Sequence, residues 1–526
     1  MQRRFPASDM SARAETDVQK VDVLIIGAGP AGLACALGLL RAGVGVKIID
    51  QKLERIRAGQ ADALLPRTIE VFESYGLKDP AFKGGALIYQ QAEYHYDPEI
   101  DGVKFTRTFE PMATTDARYK VFIAKSQAMF EDILVDALRE GGVLVDRPYK
   151  PLSIGFSTDE RELNDPTAYP VTVKLVRADG GEGEVTVKAK YLVGADGAHS
   201  WTRKALGIEM EGQTTPRIWG AIDFHPSPES NFPDWRITTI VHTPFVNSFS
   251  IPREGDQVRL YTELGLEEHY IDRMTGRVDT TKFGPEKLLE YEHERRSFAQ
   301  ELIAFDKWYA ESFSPDASRT IQKELNIDMN APFAALRAFS GMLSGCEIRY
   351  APSDIVAPEA YMPTALVPGK RMPPCALVRT ADHAPVDVQD LCPSDGRFKL
   401  LVFAGNFVND ADTTRLECLA ERLDTTLKRV AEGDIVSVAC VLKTVGERKR
   451  CGDVPRVLRS HWTSVLEDTV CSPETEKAYD KFAIGEQGAL VLVRPDGYVA
   501  AVAPLDEVQL VEEALLKVLV VPGQSV

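Results

Sequence analysis

The sequence predicts a mixed α/β protein that is built from several domains. Its 526 residues exceed what one average core needs, at roughly 150 residues per domain. A strand, a glycine-rich turn and a helix follow one another near the N terminus, and strands and helices alternate again in the last third. A strand-rich region lies between them. These patterns predict a Rossmann-like nucleotide domain, an inserted β-sheet domain and a C-terminal α/β domain.

Composition and charge exclude several classes of protein. Apolar residues make up 44% of the chain and charged residues 26%, as in ordinary globular proteins. The 61 Lys and Arg against 78 Asp and Glu give a net charge of −17, which repels phosphate backbones and anionic lipid headgroups. No uncharged apolar run reaches the roughly 18 residues that suggest a bilayer-spanning helix. We therefore expect a cytoplasmic protein that binds neither nucleic acid nor membranes.

The cysteines and histidines show no spacing that is typical of a metal or redox site. No two of the eight cysteines form a C-x-x-C pair, and the eight histidines form no H-E-x-x-H motif. We expect free thiols in a reducing compartment and no metal ion. Residues 1–20 carry acidic residues and no apolar core, so a disordered leader is predicted rather than a targeting peptide.

A nucleotide site is predicted at the first strand, Val21–Ile26, and the turn that follows it. The first glycine of this turn allows a tight bend, the second lets the backbone approach a pyrophosphate, and the third lets helix and strand pack closely. An acid at the end of the second strand would accept hydrogen bonds from a ribose and repel a 2′-phosphate, so FAD and NAD both stay open. The candidate residues are Gly27, Gly29, Pro30, Ala31, Gly32 and Asp50.

A second motif favours FAD over NAD. The string Tyr191-Leu-Val-Gly-Ala-Asp196-Gly197-Ala-His-Ser200-Trp-Thr-Arg203 resembles the Asp-Gly motif of flavin-dependent aromatic hydroxylases. In that family the motif has been linked to both FAD and NAD(P)H binding. The resemblance makes Asp196, Gly197 and Arg203 candidate cofactor-binding residues. The residues alone also allow a simpler reading, a strand that ends in an Asp-Gly turn.

Further segments resemble the fungal and yeast phenol 2-monooxygenases over nearly the whole chain from Val21. The segment Gly59-Gln-Ala-Asp62-Ala-Leu resembles the one that carries the family's active-site aspartate. Pro252-Arg253-Glu-Gly-Asp-Gln-Val-Arg259-Leu-Tyr261 resembles its substrate-domain strand. The resemblance implies catalytic roles for Asp62, Arg253 and Tyr261, and flavin contacts for Gln127 and Arg259.

The reaction implied by this resemblance is hydroxylation of a phenol at the ortho position, with FAD, NADPH and O₂. Asp62 would serve as the base that gives the phenol phenolate character, a task that suits a carboxylate with a raised pKa. Tyr261 would orient the phenol or the flavin carbonyl, and Arg253 would favour anionic species. Each of the three could instead be an ordinary turn or strand residue. The resemblance also allows a homodimer.

The last third has the β-α-β then β-β-α order of a thioredoxin fold, but it has no C-x-x-C pair for redox chemistry. A Pro-rich stretch precedes it. The predicted domain plan is a leader at 1–20, the first part of the FAD domain at 21–210, a β-rich substrate domain at 211–283, a helical remainder of the FAD domain at 284–345, a linker at 346–364 and a thioredoxin-like domain at 365–526.

One feature of the resembled family is missing. Its third flavin motif, a strand ending in Gly-Asp before a helix, has no match, and the flanking segments are fused between Glu290 and Tyr291. The fusion predicts an internal deletion and one continuous helix from Pro285 to about Phe313. Three functions therefore stay open: a phenol-hydroxylating monooxygenase, an impaired variant of such an enzyme that still binds nucleotide or a partner, and a non-enzymatic thioredoxin-like interaction module.

Overall fold

The computed structural model describes residues 18–56, 60–181, 183–210, 217–227, 234–243, 247–266, 340–406, 410–430, 435–443, 450–469 and 476–518. The predicted fusion at Glu290 and Tyr291 lies outside the described residues, as does the predicted helix around it. Residues 18–20, predicted as the end of a disordered leader, instead belong to a β-strand, because Val18 pairs with Thr186. The described residues form two compact units, one from 18–56 and 128–210 and the other from 60–127, 217–266 and 340–518.

The structure contains strands and helices throughout both units. The strands are β1 (Val18–Ile26), β2 (Val46–Ile49), β3 (Ala63–Leu64), β4 (Ala86–Ile88), β5 (Gln91–Asp97), β6 (Gly102–Phe109), β7 (Phe122–Ala124), β8 (Val145–Asp146), β9 (Tyr149–Phe156), β10 (Val171–Arg177), β11 (Glu184–Gly194), β12 (Arg217–Phe224), β13 (Thr238–His242), β14 (Asn247–Pro252), β15 (Val258–Leu266), β16 (Ala376–Arg379), β17 (Pro385–Asp387), β18 (Phe398–Asn406), β19 (Val436–Lys443), β20 (Val465–Asp468), β21 (Ala489–Val493) and β22 (Val499–Ala503). The α-helices are α1 (Pro30–Arg41), α2 (Pro66–Ser74), α3 (Lys78–Phe82), α4 (Gln127–Glu140), α5 (Glu160–Leu163), α6 (Trp201–Ala205), α7 (Ser340–Ser344), α8 (Asp410–Val430), α9 (Ala478–Lys481) and α10 (Val508–Val518).

The first unit is organised around a six-stranded sheet in the order β8-β2-β1-β11-β10-β9. Strands β8, β2, β1 and β11 are parallel, and β10 and β9 continue the sheet as antiparallel strands. The apolar run of β1 is buried, with Leu24 and Ile25 fully inaccessible, as expected for a central strand. The carboxyl ends of β1 and β2 meet at one edge, which places Gly27 beside Asp50.

The second unit contains a six-stranded sheet in the order β12-β15-β14-β13-β5-β6. Of the strand pairs described in this sheet, β5 with β13 alone is parallel. This pairing explains why residues 60–127 join the second unit rather than the first, although they precede it in the chain. A small sheet of β3, β7 and β4 lies in the same unit and holds the segment around Asp62.

The C-terminal part of the second unit has a seven-stranded sheet in the order β17-β16-β20-β19-β18-β21-β22. Its β18-α8-β19 crossover, β21-β22 hairpin and closing helix α10 follow the predicted order. The Pro-rich stretch is attached to this sheet: the amides of Ala357 and Tyr361 donate to the carbonyls of Ala500 and Val502 on the edge strand β22. The stretch thereby satisfies part of the edge strand's hydrogen-bonding groups.

Within the described residues, no helix combines the length and the apolar character that crossing a membrane requires.

Candidate active site

The glycine-rich turn after β1 has a separate steric reason for each glycine. Gly27 has φ +105, and a Cβ there would lie 2.3 Å from the carbonyl oxygen of Ala195. A Cβ at Gly32 would lie 2.0 Å from the carbonyl oxygen of Gly27. A Cβ at Gly29 would meet no atom within 4 Å, so space is open above this position. Gly29 is also the N-cap of α1 and provides no side-chain cap, which suits an anion at the helix N terminus.

Pro30 and Ala31 open α1 directly after this turn, and Pro at the first helical position sets the backbone for a helix.

The Asp50 side chain is hydrogen-bonded to the backbone of the glycine-rich turn. Its Oδ2 accepts a hydrogen bond from the Ala28 amide at 2.9 Å, and its Oδ1 accepts one from the Lys52 amide at 2.8 Å. Arg147 Nη1 lies 3.1 Å from the same Oδ1. Arg147 was missed from the sequence, because nothing in its local pattern connects it to Asp50.

The Asp-Gly motif is occupied by local contacts. The Asp196 carboxylate caps the short helix α6, accepting hydrogen bonds from the Thr202 amide at 2.9 Å and from the Thr202 hydroxyl at 3.1 Å. Gly197 has φ +82, a conformation that favours glycine. Arg203 donates through Nη1 to the carbonyl of Ile208 at 3.0 Å. In this structure Asp196 and Arg203 therefore stabilise the turn and helix that follow β11.

A second cluster, in the other unit, brings together the residues predicted to act on the substrate. The backbone of Asp62 is fixed by a hydrogen bond from the Lys125 amide to its carbonyl at 2.9 Å. Gln127, the first residue of α4, adds a bond from its amide to the Ala61 carbonyl at 3.1 Å. These bonds to the segment around β7 hold the Asp62 side chain in a buried position, 7% exposed.

Three side chains, one directly after β14 and two on β15, converge on the Asp62 carboxylate. The Tyr261 hydroxyl donates to Asp62 Oδ2 at 3.2 Å. The Nη1 atoms of Arg259 and Arg253 lie 3.6 Å and 3.8 Å from the same oxygen. Arg259 and Tyr261 are two residues apart on β15 and so point to the same face of the sheet. The structure thus brings together Asp62, Arg253, Arg259 and Tyr261, which lie in separate segments of the chain.

Burial and charge act in opposite directions on this carboxylate. Burial raises the pKa of Asp62, and the neighbouring Arg259 and Arg253 only partly offset that effect. Burial likewise raises the pKa of the Tyr261 phenol, which stays protonated and able to donate. The ring of Tyr261 stacks on Phe249 with centroids 4.5 Å apart, which fixes the direction of its hydroxyl. The site therefore holds a carboxylate whose pKa is raised, which suits a group that accepts a proton.

Two acids that the sequence analysis missed compensate the arginines. Asp223 accepts hydrogen bonds from Arg259 Nε at 2.7 Å and Nη2 at 2.8 Å, and these hydrogen bonds lower the pKa of Asp223. Glu254 accepts bonds from Arg253 Nε at 3.0 Å and Nη2 at 3.1 Å. Arg259 Nη1 also donates at 2.6 Å to the carbonyl of Gln60, whose φ of 67 is unusual for a residue other than glycine. The sequence offered one signal for Asp223, an acidic residue within an otherwise mostly apolar strand segment.

Comparison with family models identifies most of the chain. Residues 20–281 match the model described as "FAD binding domain", and residues 348–521 match "Phenol hydroxylase, C-terminal dimerisation domain". The chain belongs to the FAD-dependent aromatic monooxygenases. This monooxygenase is 28% identical to "Phenol 2-monooxygenase fsqG" of Aspergillus fumigatus, with 93% of this chain and 94% of the relative covered. It is 26% identical to "3-hydroxybenzoate 4-monooxygenase" of Comamonas testosteroni, with 95% of each covered.

The monooxygenase also shares its fold with solved structures. It superposes on aklavinone-11 hydroxylase, solved with FAD and aklavinone, with a TM-score of 0.63 and 20% identity, covering 95% of this chain and 99% of the other. The flavin-dependent monooxygenase PieE, solved with FAD and substrate, gives a TM-score of 0.62 and 18% identity, covering 94% and 98%. At such identities the likeness concerns the fold, which confirms the predicted α/β class.

Proposed function

We propose that this monooxygenase hydroxylates a phenolic substrate at the position ortho to its hydroxyl group, using FAD, NADPH and O₂. The names of two relatives support the ortho position. Position 2 of a phenol and position 4 of a 3-hydroxybenzoate are both adjacent to the carbon that bears the hydroxyl group. The observation that carries the proposal is the buried Asp62 carboxylate, which has a raised pKa and stands beside a tyrosine hydroxyl and two arginines.

In this proposal the first unit holds FAD. The open space above Gly29 and the N terminus of α1 would accept a pyrophosphate, and the Asp50 carboxylate would bind the adenosine ribose. Gly27, Pro30, Ala31 and Gly32 shape this turn, while Asp196, Gly197 and Arg203 shape the neighbouring one. Bound FAD would supply the redox chemistry by which O₂ is activated.

The second unit would act on the substrate. Asp62 would accept the phenolic proton, which raises the electron density of the ring where the new oxygen is added. The Tyr261 hydroxyl would orient the substrate, and Arg253 and Arg259 would stabilise the negative charge that develops on it. Gln127 would contact the flavin. Arg259, Arg253 and the Tyr261 hydroxyl stabilise the ionised Asp62 carboxylate and partly offset the burial that raises its pKa.

The test is steady-state turnover by the purified chain with added FAD. We expect NADPH oxidation and O₂ consumption that depend on a phenol, with a catechol as the product detected by chromatography. NADH in place of NADPH tests the choice of reductant, and a series of substituted phenols tests the substrate class. A product hydroxylated at the para position, or turnover that does not require a phenolic hydroxyl, would overturn the proposal.

The missing third flavin motif is part of the same proposal. The alignment with the phenol 2-monooxygenase runs over 585 positions, more than the 526 residues of this chain, so the relative has residues without a counterpart here. We propose that some of these residues form the absent motif between Glu290 and Tyr291. Inserting the relative's segment there should strengthen FAD binding in a fluorescence titration, and unchanged binding would count against the deletion. The alternative of a pure binding protein is not favoured by the comparisons.

The C-terminal domain supports an assembly proposal. Residues 348–521 match a dimerisation domain, so we propose a homodimer formed through this thioredoxin-like part. Light scattering during size-exclusion chromatography would give twice the chain mass of 58.1 kDa. A cytoplasmic location also belongs to the proposal, because the described cysteines are free thiols, the state that a reducing compartment maintains.

A further inference from the structure

Three potential metal ligands lie together on the six-stranded sheet of the second unit. Glu93 and His95 are two residues apart on β5, so their side chains share one face. His242, the last residue of β13, is in register with His95 across the parallel strand pair. One ligand atom from each of the three lies within 4.8 Å of the others. The proposed function uses none of these residues.

Glu93 is the least accessible of the three, with 0% of the residue exposed. Its Oε2 accepts a hydrogen bond from Arg107 Nε at 2.6 Å. Its Oε1 is buried and has no hydrogen-bond partner among the residues that the structure describes. An anionic oxygen that is buried without a partner is costly, so a cation or a donor at this position would stabilise the fold.

The two imidazoles face this oxygen. Nε2 of His95 lies 3.5 Å and Nε2 of His242 lies 4.0 Å from Glu93 Oε1. Nδ1 of His95 lies 2.9 Å from the Thr106 hydroxyl. When Nδ1 carries the proton and donates it to this hydroxyl, Nε2 keeps its lone pair on the side of Glu93. Such a partner on the second ring nitrogen is typical of metal-binding histidines.

We propose that Glu93, His95 and His242 form a binding site for a divalent transition-metal ion of the zinc class. Two imidazoles and one carboxylate are a ligand set that Zn²⁺ favours, and a water molecule would complete a tetrahedron. Ligand atoms around tetrahedral Zn²⁺ are roughly 3.3 Å apart, so small side-chain movements would close the site. The side chain of His95 is 42% exposed, which gives the ion and its water access from solvent.

Arg107 sets the character of the site. Its guanidinium holds Oε2 of Glu93, fixes the carboxylate and leaves Oε1 for the ion. Its positive charge also weakens the attraction for a cation, so the affinity should be moderate and should rise in an Arg107→Gln variant. A bound ion would connect β5 to β13, two strands that are far apart in the chain and are joined here in parallel. The ion therefore has a stabilising role, separate from hydroxylation.

The experiment uses the full chain, without any histidine tag, after treatment with a chelator. Titration with ZnCl₂ in a calorimeter should show one ion per chain at this site, and zinc should raise the unfolding temperature. CoCl₂ should produce the visible absorption of a nitrogen-ligated ion. His95→Gln and the isosteric Glu93→Gln should each weaken zinc binding at least tenfold. His225→Gln, which changes an exposed histidine of the same unit, should leave it unchanged.

Three results would overturn the proposal. One is the absence of zinc binding by the intact chain, and another is binding that persists unchanged in both His95→Gln and Glu93→Gln. The third is zinc binding that leaves the unfolding temperature of the intact chain unchanged.

Discussion

Asp223 and Arg259 lie opposite each other on the paired strands β12 and β15, and the Asp223 carboxylate accepts two hydrogen bonds from the Arg259 guanidinium, at 2.7 and 2.8 Å. The same guanidinium lies 3.6 Å from the Asp62 carboxylate. Asp223 therefore partly neutralises the positive charge of Arg259 that would otherwise stabilise ionised Asp62. The negative charge of Asp223 also raises the pKa of Asp62. This makes Asp223 a positioning residue that tunes the base.

Replacing Asp223 tests this relationship. In Asp223→Asn the negative charge is lost, so the pKa of Asp62 should fall and the carboxylate should stay ionised to lower pH. We expect the acidic limb of the kcat/KM profile to move to lower pH. Asp256→Asn, which changes an acid that is 78% exposed, is the matched control and should leave the profile in place. A limb that moves to higher pH in Asp223→Asn would contradict this role.

Replacing Asp62 tests the base itself. Asp62→Asn keeps the shape of the side chain but cannot accept the phenolic proton, so hydroxylation should fall by about 10²–10⁴-fold. FAD binding should be retained, because Asp62 lies outside the glycine-rich turn. The acidic limb of the pH profile should disappear together with the activity. Normal product formation by this variant, measured by chromatography, would show that Asp62 is not the base in hydroxylation.

The glycines after β1 give a paired test of folding against cofactor binding. Gly29→Ala places a methyl group in open space, so stability should be preserved while FAD affinity falls. Gly32→Ala places it against the Gly27 carbonyl and should cost more than about 1 kcal/mol of stability. Thermal unfolding and FAD titration separate the two effects. Equal FAD affinity in Gly29→Ala and the native protein would show that the pyrophosphate of FAD does not bind next to Gly29.

Thiol reactivity should be confined to the surface. Burial raises the pKa values of Cys375, Cys392 and Cys440 to about 12, so these thiols stay protonated and react slowly. Cys418 is exposed on α8. We expect alkylation mapped by mass spectrometry to modify Cys418 first among the described cysteines, and Cys418→Ser to remove that signal. Insulin reduction should not be observed, and measurable reduction would show a redox role for the thioredoxin-like domain.

Short-range patterns predicted much of this protein. The strand, glycine turn and helix at residues 21–42 were predictable because an apolar run, three closely spaced glycines and a helix-forming run follow one another directly in the chain. The thioredoxin-like order was predictable because apolar periodicity marks each strand and helix. Asp62, Arg253 and Tyr261 came from resemblance to a family, and the structure brings them into one cluster.

By itself, the sequence determined the fold class and the family, and it indicated Asp62, Arg253, Arg259 and Tyr261 as candidate site residues. Only the tertiary structure decided which oppositely charged partner each site residue has. Arg259 pairs with Asp223, Arg253 with Glu254 and Asp50 with Arg147. It also decided that Glu93 and His95 meet His242, whose spacing in the chain carries no metal motif. The physical reason is that electrostatic and coordinating contacts depend on distance in space. That distance is set by strand pairing between remote segments, above all by the parallel pair β5 and β13.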